Sequence, residues 1–360
     1  MTEPVYKELL TIMQKRGGGY AGMDIPEFFA MAAALFTPEQ AAMNNALPRT
    51  GTAKEIAELV GKTEAETETI LEDMANSGLC SANRQDGTVY YGSAIFMPGI
   101  LEWQFMTGTT TERDKEKARL IDAYKKAHDV VLPRSEQKPT FAGTRVITVD
   151  RTIEDGNTVN TYDQVKTYID KNDSIGTAAC YCRHKAVLLD EDTHGMPNQV
   201  CMSFGAGVDF MVERLGGRKL TKEEAMKVLD ETEEAGLIHM TNNVTDNISF
   251  MCNCDRWHCV HVTGLLEQSK PAEFFNSGFE PLFDPETCVA CETCIDRCPA
   301  TALEMGDNDL PVVDLDRCFG CAVCATGCPS EAISMAAKPD YPQPPKDNKA
   351  LGEAFRVSQS

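Results

Sequence analysis

CVACETCIDRCP (residues 288–299) and CFGCAVCATGCP (residues 318–329) are two copies of one pattern, C-x-x-C-x-x-C-x-x-x-C-P, offset by 30 residues. Asp284 and Asp314, Ala302 and Ala332, and Met305 and Met335 keep the same register on either side. The spacing has a geometric reason. Two-residue gaps let a curling loop place three thiolates on three irons of one cubane, while the fourth cysteine opens a segment aimed at a second cubane. The proline after it sits at a first helical position, where its missing N–H costs nothing. One [4Fe–4S] cluster is therefore expected on Cys288, Cys291, Cys294 and Cys328, and the other on Cys318, Cys321, Cys324 and Cys298. A zinc ribbon also pairs C-x-x-C motifs, but four sulfurs per zinc leave the third cysteine of each triplet unexplained.

This stretch resembles the bacterial two-cluster ferredoxin fold, a small pseudo-symmetric α+β unit, over residues 280–336. Residues 280–335 hold eleven acids and two bases, Arg297 and Arg317. Negative charge beside a cluster disfavours an added electron, so low reduction potentials are expected. The same charge steers docking toward a basic surface.

Six further cysteines lie upstream: Cys180 and Cys182 in CYCRH, Cys201 in QVCMSF, and Cys252, Cys254 and Cys259 in CNCDRWHC. Both C-x-C pairs fall at the ends of strand-like segments, so converging tips could supply the thiolates of a third cluster. Zinc is the alternative, since mixed Cys and His sets suit it, with Arg183, His184, His258 and His261 nearby. Buried free cysteines, packed as small hydrophobes, are the plain reading.

Composition narrows the setting. The 360 residues carry 55 acids against 34 Lys and Arg, a formal charge of −21. Phosphate binding needs clustered bases, so nucleic acid and anionic membrane surfaces are disfavoured as partners. Charges, Gly or Pro interrupt every apolar run short of the roughly 20 residues a spanning helix needs, so no membrane insertion is expected. Fifteen cysteines with no basic n-region ahead of an apolar core point to a reducing, cytoplasmic location.

The remaining chain reads as α+β and multidomain. Residues 1–140 form a helical, winged-helix-like domain. It begins with helices over Pro4 to Arg16 and Pro26 to Leu47. A Thr52-capped helix to Val60, a second from the Thr63/Glu66 capping box to Ser77, and a hairpin turning at Asp86-Gly87 follow. That second helix, EAETETILEDMAN, holds five acids and no base, so a DNA groove would repel it. Gly17, Gly19 and Gly22 spell G-x-G-x-x-G but follow a helix rather than a strand, which disfavours a dinucleotide site. A mixed-charge helix runs from Thr111 to Val131. Residues 141–279 are expected as an α/β cysteine-rich middle domain, with strands over 145–150, 174–181 and 247–252 and helices over 162–171 and 221–235. Residues 337–360, rich in proline, read as an extended or disordered tail.

The series LFTPEQAAM, EIAELVG, LEDMANSGL, FMPGILEWQF, CYCR, Cys201, KEEAMKVLDETEEAGLIHMTNN, CNC and the double ferredoxin motif resembles a family of large iron–sulfur binding proteins of strict anaerobes. That resemblance implies a winged-helix-like N-terminus, a cysteine-rich middle and a two-cluster ferredoxin end. Asp255, Trp257 and His258 depart from it, standing where that family commonly has cysteine. The expected function is an electron-transfer protein, or a subunit of a larger complex, relaying single electrons to or from a redox enzyme partner with a basic docking surface. The alternatives are a reductase with its active site at the central cysteines and a redox-sensing regulator. No catalytic acid–base or nucleophile constellation is legible.

Overall fold

The computed structural model describes residues 3–136, 142–153, 165–246, 248–339 and 341–358. The chain divides into two compact units: Met1–Pro133 with Thr177–Thr193 and Ala206–Lys219, and Arg134–Gly176 with His194–Gly205 and Leu220–Ser360. This differs from the expected division at residues 141 and 280. Segments carrying Cys180 and Cys182 join the N-terminal helices, and the ferredoxin repeat joins the rest of the middle region.

In the first unit, helices Pro4–Arg16, Pro26–Leu35, Pro38–Ala46, Ala53–Val60, Glu64–Asn76 and Glu112–Val131 pack around Phe28, Phe96 and Tyr124. The single helix expected over residues 26–47 is two. Pro38 has no N–H to donate, and Thr37 starts a new helix by accepting from Gln40 N while the Gln40 side chain accepts from the Thr37 N–H. Thr52/Glu55 and Thr63/Glu66 make the same reciprocal caps. Strands Ser81–Gln85 and Thr88–Gly92 pair across Asp86-Gly87, both at positive φ as a tight hairpin turn requires, and Gly51–Thr52 adds a third strand.

In the second unit, strands Thr144–Ile147, Ile238–Asn242, Phe250–Cys254 and Cys201–Phe204 lie side by side in that order, each antiparallel to its neighbour. These three pairings are antiparallel and need no helical crossover between their strands. The strand expected over 247–252 lies three residues later at its start and runs to Cys254, while the one expected over 145–150 spans Thr144–Ile147. The helix expected from residue 162 is described from Val165 to Lys171, its first residues lying outside the described ones. The expected tail is also different. Lys338 N bonds Gly278 O, Thr245 N and Asp246 N bond the carbonyls of Pro345 and Lys346, and helix Asn348–Ser358 ends the described chain. Lys338, Pro345 and Lys346 are thus held by backbone hydrogen bonds within their own unit.

The ferredoxin repeat is repeated in backbone as well as sequence. Phe279–Phe283 pairs with Ile333–Ala337, and Leu303–Met305 with Pro311–Val313, so the first strand of each copy pairs with the last strand of the other. The two copies are interleaved. Asp284 N bonds Ala332 O at 2.9 Å and Asp314 N bonds Ala302 O at 2.8 Å. Residues 290 and 320, 292 and 322, and 301 and 331 all take positive φ, a second trace of the same 30-residue period.

One such pair is unequal. Ala290 has φ 53° on an accessible loop, whereas Gly320 has φ 68°, and a Cβ there would stand 2.3 Å from Phe279 O and Ser277 Oγ. Gly320→Ala is therefore expected to cost roughly 1–3 kcal/mol, and Ala290→Gly less than about 1 kcal/mol. Anaerobic denaturant unfolding of the two variants beside the wild type checks this. Equal losses at both positions would contradict the steric account.

Candidate iron–sulfur site

Each copy delivers its cysteines by the same local chemistry. Asp284 Oδ1 accepts from Glu286 N at 2.9 Å and Asp314 Oδ1 from Asp316 N at 3.0 Å, tightening the turn that leads into the first cysteine. Cys288 N and Cys318 N then donate back to the carbonyls of Asp284 and Asp314. The short helices Thr293–Arg297 and Val323–Thr326 carry Cys294 and Cys324, and Cys298 and Cys328 follow at their ends. Ala302 N and Ala332 N each lie 3.3 Å from the sulfur of Cys298 and Cys328. This explains why Asp and Ala recur in register. The aspartates form the turn, and the alanines bring an N–H to the fourth sulfur, a contact that eases reduction of a cluster held there.

The eight sulfurs fall into two groups. One cavity is lined by Cys288, Cys291, Cys294 and Cys328 with Phe283, Val289, Met305 and Pro311, and the other by Cys298, Cys318, Cys321 and Cys324 with Leu303, Phe319 and Met335. Met305 and Met335, the third pair kept in register, occupy matching walls. Apart from the sulfurs the walls are largely apolar, as a site that excludes water from a metal cluster requires.

The two cavities differ in surroundings. At the first, Cys291 is exposed and Val289 retains 65% of its accessible surface. Its Sγ lies 3.3 Å from the Thr293 hydroxyl, and that contact, with the Thr293 backbone, holds the thiol below its ordinary range. At the second, Phe319, Ala322 and Cys324 are buried, and burial pushes the thiols of Cys318, Cys321 and Cys324 up. A buried thiol of this kind gives up its proton when a metal replaces it, so the residues fit cluster ligands. The two bases hydrogen-bond within the unit, mostly to backbone carbonyls. Arg297 donates to the carbonyls of Glu233, Glu234 and Val323, and Arg317 to Ala300 O.

The other six cysteines are placed differently from their sequence reading. Cys180 and Cys182 belong to the first unit, where Cys180 precedes helix Tyr181–Leu188 and Cys182 lies in its first turn, not on a strand end. A mutual hydrogen bond is the main cause that holds the Cys180 thiol high. His184 Nε2 is 2.7 Å from Thr109 O, within the same unit. Cys201, Cys252, Cys254 and Cys259 belong to the second unit. The pairing of Met202 with Met251, carried one step along, sets Cys201 beside Cys252. Cys252 and Cys254, two apart on one strand, share a face. Cys254 and Cys259 are buried with their sulfurs 3.2 Å apart. Burial lowers the pKa of His261 to about 4, and its Nε2 is 3.0 Å from Thr144 Oγ1.

Sequence reasoning did not single out Thr293, Phe319, Gly320 or Arg256. The first three lie inside the cysteine pattern at its variable positions. Arg256, whose Nη1 is 3.1 Å from Cys298 O, reaches the repeat from the turn that follows strand Phe250–Cys254. No described helix is long and apolar enough to cross a membrane.

Comparison with known sequences agrees with this geometry for the C-terminal part. Among curated proteins none matches the chain. The family model of a 4Fe-4S dicluster domain matches residues 280–329, which contain all eight cysteines of the two cavities. The chain thus carries a C-terminal ferredoxin-like iron–sulfur domain, and with it an electron-transfer role.

Proposed function

We propose that this protein relays single electrons through two [4Fe–4S] clusters to or from a redox enzyme partner. One cluster is held by Cys288, Cys291, Cys294 and Cys328, and the other by Cys318, Cys321, Cys324 and Cys298. The observation that carries the reading is the pair of four-cysteine cavities, one with an exposed rim and one walled in. Each cluster, when bound, supplies one reversible electron. The protein's residues do the rest. Cys291 and Val289 bring the outer quartet to the surface, and Phe319 and its neighbours keep water from the inner one.

The outer quartet is the port for the partner in this reading. Glu286, Glu292 and Asp296 are exposed beside it, and the eleven acids of residues 280–335 outnumber the two local arginines, which leaves a net negative field. A basic docking surface complements that field. The helices and hairpin over residues 53–92 serve as a winged-helix-like scaffold or protein-docking element. Glu64, Glu66 and Glu68 are exposed on its second helix, so DNA sensing is disfavoured. A third cluster or zinc on the central cysteines is the competing assignment for those residues, and the metal count decides it.

Anaerobic iron and sulfide analysis of the full chain is expected to give about eight of each per protein. Cys291→Ser should change the EPR spectrum of the outer cluster while leaving that of the inner one. A single spectrum lost completely in that variant, or iron well below about eight in the wild type, would refute the two-cluster assignment.

Oxidation of the reduced protein by a basic c-type cytochrome, used as a probe, should slow as salt is raised. The double variant Glu286→Lys/Glu292→Lys should be slower by roughly tenfold at low salt and nearly insensitive to it. An unchanged salt dependence would move the port elsewhere.

A further inference from the structure

We propose that Cys254 and Cys259 form a redox-active dithiol–disulfide couple, reduced from the inner quartet, that turns a one-electron relay into a two-electron store. The inference rests on the two-cluster reading above for its electron source. Its geometric basis is separate.

The sulfurs of Cys254 and Cys259 are 3.2 Å apart. Thiolates of a cubane sit on separate irons and do not touch, and two thiolates on one zinc, each about 2.3 Å from it, stand about 3.8 Å apart. At 3.2 Å the pair stands closer together than two thiolates on one zinc, and a disulfide of about 2.05 Å needs a further approach of about 1.2 Å. The contrast with the ferredoxin cysteines is direct. Cys324 feels Cys321, Cys318 and Cys298 only through their charge, whereas Cys254 is hydrogen-bonded by both Cys252 and Cys259.

The intervening turn is built to hold the two sulfurs together. Asp255, 2% exposed, accepts from Trp257 N at 2.9 Å, from His258 N at 2.6 Å, and lies 3.1 Å from His258 Nδ1. His194 stacks on Trp257 at 4.4 Å and covers the turn. Arg256, in the middle of it, reaches the Cys298 carbonyl. Cys254, Cys259, Cys298 and Cys324 share one buried core with Phe319 and with Cys294 of the outer quartet, so the path from the quartets to the pair runs through packed protein, and the Arg256 contact to Cys298 marks its inner end.

Reduction breaks the Cys254–Cys259 S–S bond with two electrons, and each sulfur takes one proton from solvent. The electrons arrive one at a time from the one-electron carriers held by the two quartets, which are oxidised in turn. Oxidation of the dithiol returns two electrons and two protons by the reverse route.

The test uses anaerobically purified holoprotein, treated with oxidised glutathione or with photoreduced methyl viologen, then alkylated with iodoacetamide, digested and weighed. The expected result is a Cys254–Cys259 linked peptide after glutathione and two alkylated cysteines after viologen. A two-electron midpoint in glutathione buffers should accompany it, with the ferredoxin EPR spectra intact. Cys254→Ser should abolish the linked peptide and keep about eight irons. A wild type with about twelve irons that falls to about eight in that variant would overturn the couple in favour of a third cluster. Stoichiometric zinc lost in the variant, or both thiols alkylated after every oxidant, would overturn it as well. Iron below about eight with the peptide still linked would instead refute the two-cluster reading, so the two failures are separable.

Discussion

A metal cluster needs four sulfurs at set corners of a dry cavity, and no single turn of chain can close around it from all sides. The protein meets this constraint by interleaving two copies of one motif. Each copy supplies three sulfurs to its own cavity and a fourth to its neighbour's, and the strands pair between copies in the same crossed sense. Neither cavity is complete without both copies. That coupling makes the repeat one cooperative unit rather than two beads, and it explains why turn-forming aspartates, N–H-donating alanines and cavity-lining methionines recur 30 residues apart.

Symmetry of sequence becomes asymmetry of environment once the repeat is set in its unit. One cavity keeps an exposed cysteine and a bare valine at its rim. The other is backed by Phe319 and Phe275 and tied through Arg297 to the end of helix Lys222–Glu234. Two nearly equal binding sites thereby acquire different solvent access, which is one of the main levers on cluster potential.

The central cysteines show how an i, i+2 spacing means different things in different backbones. Cys252 and Cys254 lie on one face of a strand, beside Cys201 on its neighbour. Cys180 and Cys182 sit at the start of a helix, because the strand before them ends at Ala178. The same letters therefore carry different geometry. What decides between them is where strand pairing stops, a property of the whole sheet.

The cysteine spacing by itself determined the quartets that line the two cavities, because short-range loop geometry leaves few ways to arrange C-x-x-C-x-x-C. Thr52/Glu55, Thr63/Glu66 and the Asp86-Gly87 turn were legible for the same reason, since caps and tight turns are local hydrogen-bond chemistry. Pro38 showed its break just as locally, though the helix before it read as continuous. Only the tertiary structure decided that strands Thr144–Ile147, Ile238–Asn242, Phe250–Cys254 and Cys201–Phe204 pair antiparallel, and which quartet is exposed. It also decided that Arg256 reaches Cys298 across 42 residues of chain, and that Cys254 and Cys259 touch. Those outcomes depend on contacts between segments whose separation in sequence carries no periodic signal, and burial, not spacing, selects among them.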